Sequence, residues 1–261
     1  MKNVPKSLVC ELTANSPVNE ELFILHFSWN APPPRAGQFF MLKPARTSVF
    51  LPRPISVFEY NSGQNSLKFL VAKKGKGTLE LSQLRHGEKV QLTGPLGNAW
   101  ADFLPESGKI ALVGGGVGVA PLAALAAERP GCNFHFFAGF KNGFREKEEE
   151  NAVLASAVNA KKLVITAEDG KNALNGRIVD FLFEPKSYDA IFACGPVPML
   201  RALMKKCRAE NVHRNCFFSL ESRMACGVGA CLGCSINTVN GSRRCCADGP
   251  IFPAGDIILD E

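Results

Sequence analysis

The chain has 261 residues, 46% hydrophobic and 21% charged, with a formal net charge of +6. These are globular values, at a length that suits about two domains with sizeable cores. The modest, dispersed charge argues against nucleic acid as partner, no run approaches the ~18 apolar residues needed to cross a bilayer, and Met1-Lys-Asn-Val-Pro-Lys-Ser7 lacks the apolar stretch of a secretory signal. A cytoplasmic protein is expected.

Residues 1–101 read as strands and turns. Strands are expected over Ser7–Ala14, Leu22–Trp29, Gln38–Leu42, Val49–Phe58, Leu67–Ala72 and Lys89–Leu92, punctuated by Pro and Gly. Short strands separated by turn residues suggest a small antiparallel β-barrel. One short helix is expected from Thr78 as cap through Leu84.

Over residues 102–215 strand and helix alternate. The expected order is strand Lys109–Val113, helix Pro121–Glu128, strand Asn133–Ala138, helix Glu146–Val158, strand Leu163–Ala167, helix Gly176–Phe183, strand Ala190–Cys194 and helix Pro198–Glu210, closed by strand Cys216–Leu220. This repetition builds a Rossmann-like parallel sheet. Residues 216–261 form a small C-terminal module, and its Gly- and Cys-rich part from 221 onward would need a metal staple. The expected class is therefore α/β plus β, in three parts.

Ten cysteines are present, and five crowd into residues 226–246. Without an export signal, metal binding explains them better than disulfides. Cys226, Cys231 and Cys234 follow the C-x4-C-x2-C spacing of plant-type [2Fe–2S] sites. The uneven gaps and the adjacent pair Cys245-Cys246 disfavour zinc, whose sites usually repeat one short spacing. Spacing leaves the fourth ligand open between Cys245 and Cys246. Cys10, Cys132, Cys207 and Cys216 are read as small buried hydrophobes.

Four further motifs carry chemistry. Gly114-Gly-Gly-Val-Gly118-Val-Ala-Pro121 follows a buried strand and opens a helix; glycines there let backbone approach a pyrophosphate. Cys194-Gly195-Pro196 ends another strand on the same expected sheet edge. Arg53-Pro54-Ile55-Ser56 offers a guanidinium fork and a hydroxyl. Gly75-Lys76-Gly77-Thr78 places glycines at a helix start. Each alone is also a plain turn or a surface charge. The basic stretch Gly139-Phe-Lys-Asn-Gly-Phe-Arg145 leaves open whether a 2′-phosphate is accepted. The four histidines are isolated, and no catalytic triad or paired acids are found.

In this order the motifs resemble the ferredoxin–NADP reductase superfamily. The tail, Glu221-Ser-Arg-Met-Ala-Cys226 through Cys234 and then Cys246-Ala-Asp-Gly-Pro250, is similar to that of electron-transfer subunits of NAD-dependent (class 1B) dihydroorotate dehydrogenase. The resemblance implies an FAD-binding barrel (1–101), an NAD-binding domain (102–215) and a [2Fe–2S] module (216–261). It implies that Arg53, Pro54, Ile55 and Ser56 meet the flavin and its phosphates, that Leu70, Val71 and Ala72 line the flavin, and that Gly77 and Thr78 hold the pyrophosphate. Gly114, Gly115, Gly116, Gly118, Cys194 and Gly195 would form the NADH crevice. Cys226, Cys231, Cys234 and Cys246 would hold the cluster, leaving Cys245 as a departure from the family pattern. The implied partner is an FMN-containing catalytic subunit that oxidises dihydroorotate in pyrimidine biosynthesis, in a heterotetramer of two of each. The alternatives are the same scaffold serving another complex (sulfide dehydrogenase or NADH-dependent ferredoxin:NADP oxidoreductase type), a subunit that has lost NADH binding, and a zinc-stapled binding module.

Overall fold

The computed structural model describes residues 5–45, 47–181 and 184–259. The first part is built from β1 (Lys6–Pro17), β2 (Leu22–Ser28), β3 (Phe39–Pro44), β4 (Arg53–Ser56), β5 (Glu59–Asn61), β6 (Ser66–Ala72) and β7 (Lys89–Leu96), with helix α1 (Lys76–Ser82) before β7. These strands form one antiparallel sheet in the order β4-β3-β7-β1-β2-β6-β5. Strand β1 pairs with β7 through Lys6–Glu11 and with β2 through Leu12–Pro17, and a register shift between Leu12 and Ala14 lets the sheet turn over itself. The sheet curls as an open half-barrel, with the short strands β4 and β5 at its edges. Inside, Phe40 meets Trp29 and Phe69 edge to face at 4.8 and 5.6 Å.

Two boundaries differ from expectation. The strand expected over Val49–Phe58 narrows to Arg53–Ser56, with β5 as a separate short edge strand; Pro52, just before it, cannot donate to a ladder, and Pro54 is tolerated because β4 is an edge strand. Helix α1 starts at Lys76 with Gly75 as its cap, not at Thr78. The Thr78 hydroxyl instead accepts from the Lys74 and Gly75 N–H groups, folding the turn back on the helix.

The second part contains β8 (Lys109–Gly115), α2 (Val119–Glu128), β9 (Asn133–Phe140), α3 (Lys147–Leu154), β10 (Lys162–Ala167), β11 (Leu174–Asn175), β12 (Ala190–Cys194), α4 (Val197–Ala209) and β13 (Cys216–Ser219). Their sheet runs β11-β10-β9-β8-β12-β13, all parallel. Its order reverses between β8 and β12, and the crevice outside such a switch point is where ligands bind. The helix expected over Gly176–Phe183 is a single 3₁₀ turn, Ile178–Asp180; Pro185 follows too closely for a longer helix, and residues 182–183 lie outside the described residues.

The remainder has no core of its own. It forms the hairpin β14 (Ser235–Thr238) and β15 (Gly241–Arg244), the short helix α5 (Cys245–Asp248) and β16 (Ile251–Pro253). Strand β16 adds antiparallel to β13 and so completes the second sheet. Asn98, just after β7, bonds both backbone groups of Ile251 at 2.8 and 3.0 Å. Nearby, Trp100 stacks on Phe192 of β12 at 5.1 Å. All three parts of the chain therefore meet beside the switch point. No helix among the described residues is long and apolar enough to cross a membrane.

Candidate flavin, nucleotide and cluster sites

The switch point is shaped by backbone contact. Gly114 pairs with Cys194 across β8 and β12. A Cβ on Gly118 would lie 2.2 Å from the Cys194 carbonyl oxygen, and one on Gly195 would lie 3.0 Å from the Gly115 nitrogen. The two loops thus touch as backbone, which only glycine permits. Gly116 adopts φ +54° with open space around its Cα, as a turn presenting backbone to a ligand requires. Outside these loops lies a crevice of about 720 Å³ lined by Gly115, Gly116, Gly195 and Met199, with Glu168 and Lys141 farther out.

A second cavity, of about 200 Å³, lies against β4 and β6. Arg53, Pro54, Ile55, Ser56, Leu70, Val71, Ala72 and Thr78 all line it, as do Gly118 and Cys194. Gly77 stands against Arg53: a Cβ there would fall 2.3 Å from its Nε. The guanidinium donates through Nη1 to the Leu51 and Pro52 carbonyls. Its Nε and Nη2 have no hydrogen-bond acceptor among the described residues, leaving a fork that suits a phosphate. Cys194 is a buried neutral thiol. Burial, reinforced by the Glu221 carboxylate, pushes it up to about 12 against an opposing hydrogen bond with Ser219.

The two cavities share a wall of Ala72, Lys74, Val117 and Glu221. Glu221 was not singled out as a site residue from sequence. Its position directly after β13, at the carboxyl end of a parallel strand, was the available signal.

The cysteine module adjoins the same place. Loop 226–234 and helix α5 bring four sulfurs toward one another. The Cys226 sulfur accepts from the N–H groups of Val228 and Cys231 at 3.5 and 3.4 Å. Cys234 accepts from the Cys246 N–H at 3.4 Å, and Cys246 accepts from the Gly229 N–H at 3.1 Å. Gly227 and Gly229, at φ +70° and +81°, make this approach possible, since a Cβ would strike Met41 and Ala247. Burial raises the Cys226 thiol, but the N–H groups of Cys231 and Val228 outweigh it and bring it to about 6. Burial and the Cys234 sulfur push Cys246 up to about 12. Among the described residues no three His, Cys, Asp or Glu side chains converge tightly enough for a single metal ion. Four thiols, three of which (Cys226, Cys234 and Cys246) accept backbone N–H groups, fit a larger iron–sulfur unit, whose sulfurs take such bonds. Beyond α5, Arg244 clamps Asp248 through two bonds of 3.0 and 2.9 Å. That guanidinium holds the carboxyl well below its usual range, at about 2.

Cys245 points the other way. It is fully buried and donates to the Leu220 carbonyl at 3.1 Å, and Leu220 lines the second cavity. Of the scattered cysteines, Cys207 and Cys216 are buried as expected, whereas Cys10 and Cys132 are only partly so. His135 pairs with Tyr188 and His26 with Ser16, each apart from these sites.

Residues 221–258 match the iron–sulfur cluster binding domain of dihydroorotate dehydrogenase B. The dihydroorotate dehydrogenase B (NAD(+)) electron transfer subunit of Clostridium acetobutylicum is 38% identical over 227 residues, 87% of each chain. That of Caldanaerobacter subterraneus subsp. tengcongensis is 33% identical, covering 94% of this chain and 96% of its own. The chain belongs to the family of dihydroorotate dehydrogenase B electron transfer subunits. As a member it is a flavin and iron–sulfur oxidoreductase subunit, and its cofactors are FAD, iron–sulfur and NAD. Among solved structures, the NADH-dependent reduced ferredoxin–NADP oxidoreductase superposes with a TM-score of 0.80 at 24% identity, covering 100% of this chain and 92% of that one. A ferredoxin reductase of carbazole 1,9a-dioxygenase gives 0.68 at 19%, covering 84% and 70%. Both show the ferredoxin–NADP reductase-like fold. The family match disfavours the zinc-stapled module, whose spacing argument was already weak.

Proposed function

We propose that this electron transfer subunit accepts a hydride from NADH and delivers single electrons to an FMN-containing catalytic subunit that oxidises dihydroorotate in pyrimidine biosynthesis. One observation carries the reading: the nucleotide crevice and the flavin cavity share a wall, and the flavin cavity touches the cysteine module through Leu220 and Cys245. Bound in that order, flavin and cluster supply the exchange between a two-electron hydride and one-electron carriers.

The chain's own residues position and insulate. Arg53 and Ser56, with Gly77 and Thr78 beside them, hold FAD phosphates and ring edge, and the β6 backbone from Leu70 to Ala72 supports the ring. Gly115, Gly116 and Gly195 line the crevice that admits the dinucleotide, whereas Gly114, Gly118 and Cys194, expected there from sequence, shape the backbone between it and the flavin cavity. Cys194, kept protonated, places no charge at the junction. Cys226, Cys231, Cys234 and Cys246 ligate the cluster, as a [2Fe–2S] unit given the spacing. Functionally the chain divides into 1–101 for FAD, 102–215 for NAD and 216–261 for the cluster, the last also donating β13 and β16 to the second sheet. The assembly is a cytoplasmic heterotetramer of two of each subunit.

Co-expression with the FMN subunit tests this. Both proteins should co-purify, and NAD-linked dihydroorotate oxidation should require both. A chain that binds FAD and iron but serves a different partner would redirect the reading to the sulfide dehydrogenase or ferredoxin:NADP oxidoreductase type.

A further inference from the structure

The basic stretch 139–145 spans the end of β9, the second strand of the nucleotide sheet, and the loop after it. In such sheets the adenosine ribose is read about 20 residues past the glycine loop, where an acid selects a free 2′-hydroxyl or an Arg accepts a 2′-phosphate. Here the residue at that rim is Arg145, which by itself would favour the phosphate. It is already taken. Its Nη2 lies 3.1 Å from Glu20 Oε1, a carboxylate contributed by the other sheet. Beside it, Asn142 Nδ2 donates to Glu21 Oε1 at 3.2 Å. Glu20 and Glu21 sit on the β1–β2 turn, which is itself fixed: the Asn19 side chain accepts from the Glu21 and Leu22 N–H groups at 2.9 and 2.8 Å.

The rim is built from the other side as well. Asp169 accepts from the Gly143 N–H at 2.8 Å, and Asn172 donates to the Phe144 carbonyl at 2.9 Å. Lys171 lies 3.8 Å from Asp169, and Arg177 lies 3.4 Å from Asp180. Of the cations at this end of the crevice, only Lys141 has no carboxylate partner among the described residues. The crevice lining carries Glu20, Glu21, Glu149, Glu168, Asp169 and Glu221 against Lys74, Lys141, Arg145, Lys171 and Arg177, so a dianionic 2′-phosphate meets no net positive field.

We infer that the β1–β2 turn sets the dinucleotide selectivity of this subunit: Glu20 occupies Arg145 and Glu21 engages Asn142, so the crevice takes an adenosine ribose with a free 2′-hydroxyl and rejects its 2′-phosphate. This rests on the reading of the crevice as the nicotinamide-dinucleotide site and adds the residues that choose between the two dinucleotides. The pair is solvent-exposed, so each contact is individually weak; the discrimination comes from the repulsion of two carboxylates and the occupation of one guanidinium together, and both are lost in the double Glu→Gln variant.

The test is calorimetric titration of the FAD- and iron-loaded full chain with NAD⁺ and with NADP⁺, for wild type, Glu20→Gln/Glu21→Gln, and the same pair with Arg145→Ala added. The ratio of NADP⁺ to NAD⁺ dissociation constants should fall by roughly tenfold in the double variant and return toward the wild-type value when Arg145 is also removed. An unchanged ratio in the double variant, with NAD⁺ still bound, overturns the selectivity assignment alone. A wild-type chain that binds neither dinucleotide overturns the crevice reading and this assignment with it.

Discussion

The Cys245 sulfhydryl donates to the Leu220 carbonyl at 3.1 Å. Spacing leaves the fourth ligand open between Cys245 and Cys246, and this contact supports Cys246. Successive residues on the short helix α5 diverge by about 100°, so Cys245 turns toward the end of β13 while Cys246 turns toward Gly229 and Cys234. We propose that Cys245 is packing, between the cysteine module and the flavin cavity, and that its neighbour is the ligand.

Substitution separates the two roles. Cys246→Ser should lose most of the iron and the visible absorption of the cluster. Cys245→Ala should keep the full iron content and lose about 1 kcal/mol of stability, the cost of a small buried void. Iron assay and thermal melting of the two variants check this. Equal iron loss in both would remove the assignment.

Gly77 is required by Arg53. An added methyl group falls 2.3 Å from the guanidinium Nε, so Gly77→Ala must push the fork off its position. The FAD dissociation constant should rise about tenfold, the worth of one charge-assisted contact, with cluster content unchanged. Flavin fluorescence titration reads it directly.

Leu232 holds φ +57° between Cys231 and Cys234 and is 62% exposed. A side chain in the left-handed region is strained by about 1–2 kcal/mol, and Leu232 has little packing to lose. After the entropy cost of glycine, Leu232→Gly should stabilise the loaded chain by about 0.5–1 kcal/mol, visible as a thermal midpoint higher by about 1–4 °C.

Cys194 makes stability depend on alkaline pH. Burial, with the Glu221 charge, raises its thiol from 9.0 to about 12. The folded chain therefore keeps a proton that the unfolded chain releases above pH 9. Its contribution is complete below pH 9 and is lost as pH rises toward 12. Between pH 8 and 11 the melting temperature of wild type should fall more steeply than that of Cys194→Ala. The native thiol should also resist iodoacetamide at pH 8.

The two sheets were readable because their signals are local. Hydrophobic runs such as Lys109–Val113 and Ala190–Cys194 mark buried parallel strands, and the glycine loops sit where such strands end. The failures came where long-range context decides. The Val49–Phe58 run looks like a strand, but pairing starts only at Arg53, just after Pro52, and ends at Ser56. The Gly176–Phe183 segment has helical composition but no room before Pro185. In the site, spacing marks Cys226, Cys231 and Cys234 as candidate ligands, whereas choosing between Cys245 and Cys246 needs the direction of each side chain. The Glu20–Arg145 pair joins residues 125 positions apart, in loops attached to different sheets, a distance no local pattern spans.

A dinucleotide crevice, a flavin cavity and a four-cysteine cradle adjoin in that order within one chain. The most direct measurement is an anaerobic NADH titration of the FAD- and iron-loaded protein, followed by visible absorption and low-temperature electron paramagnetic resonance. The account expects NADH to bleach the flavin and to produce the signal of a reduced [2Fe–2S] cluster, with Cys246→Ser keeping the first response and losing the second. Flavin bleaching in a wild-type chain whose cluster stays oxidised at every NADH concentration, or a cluster reduced without flavin, would contradict it.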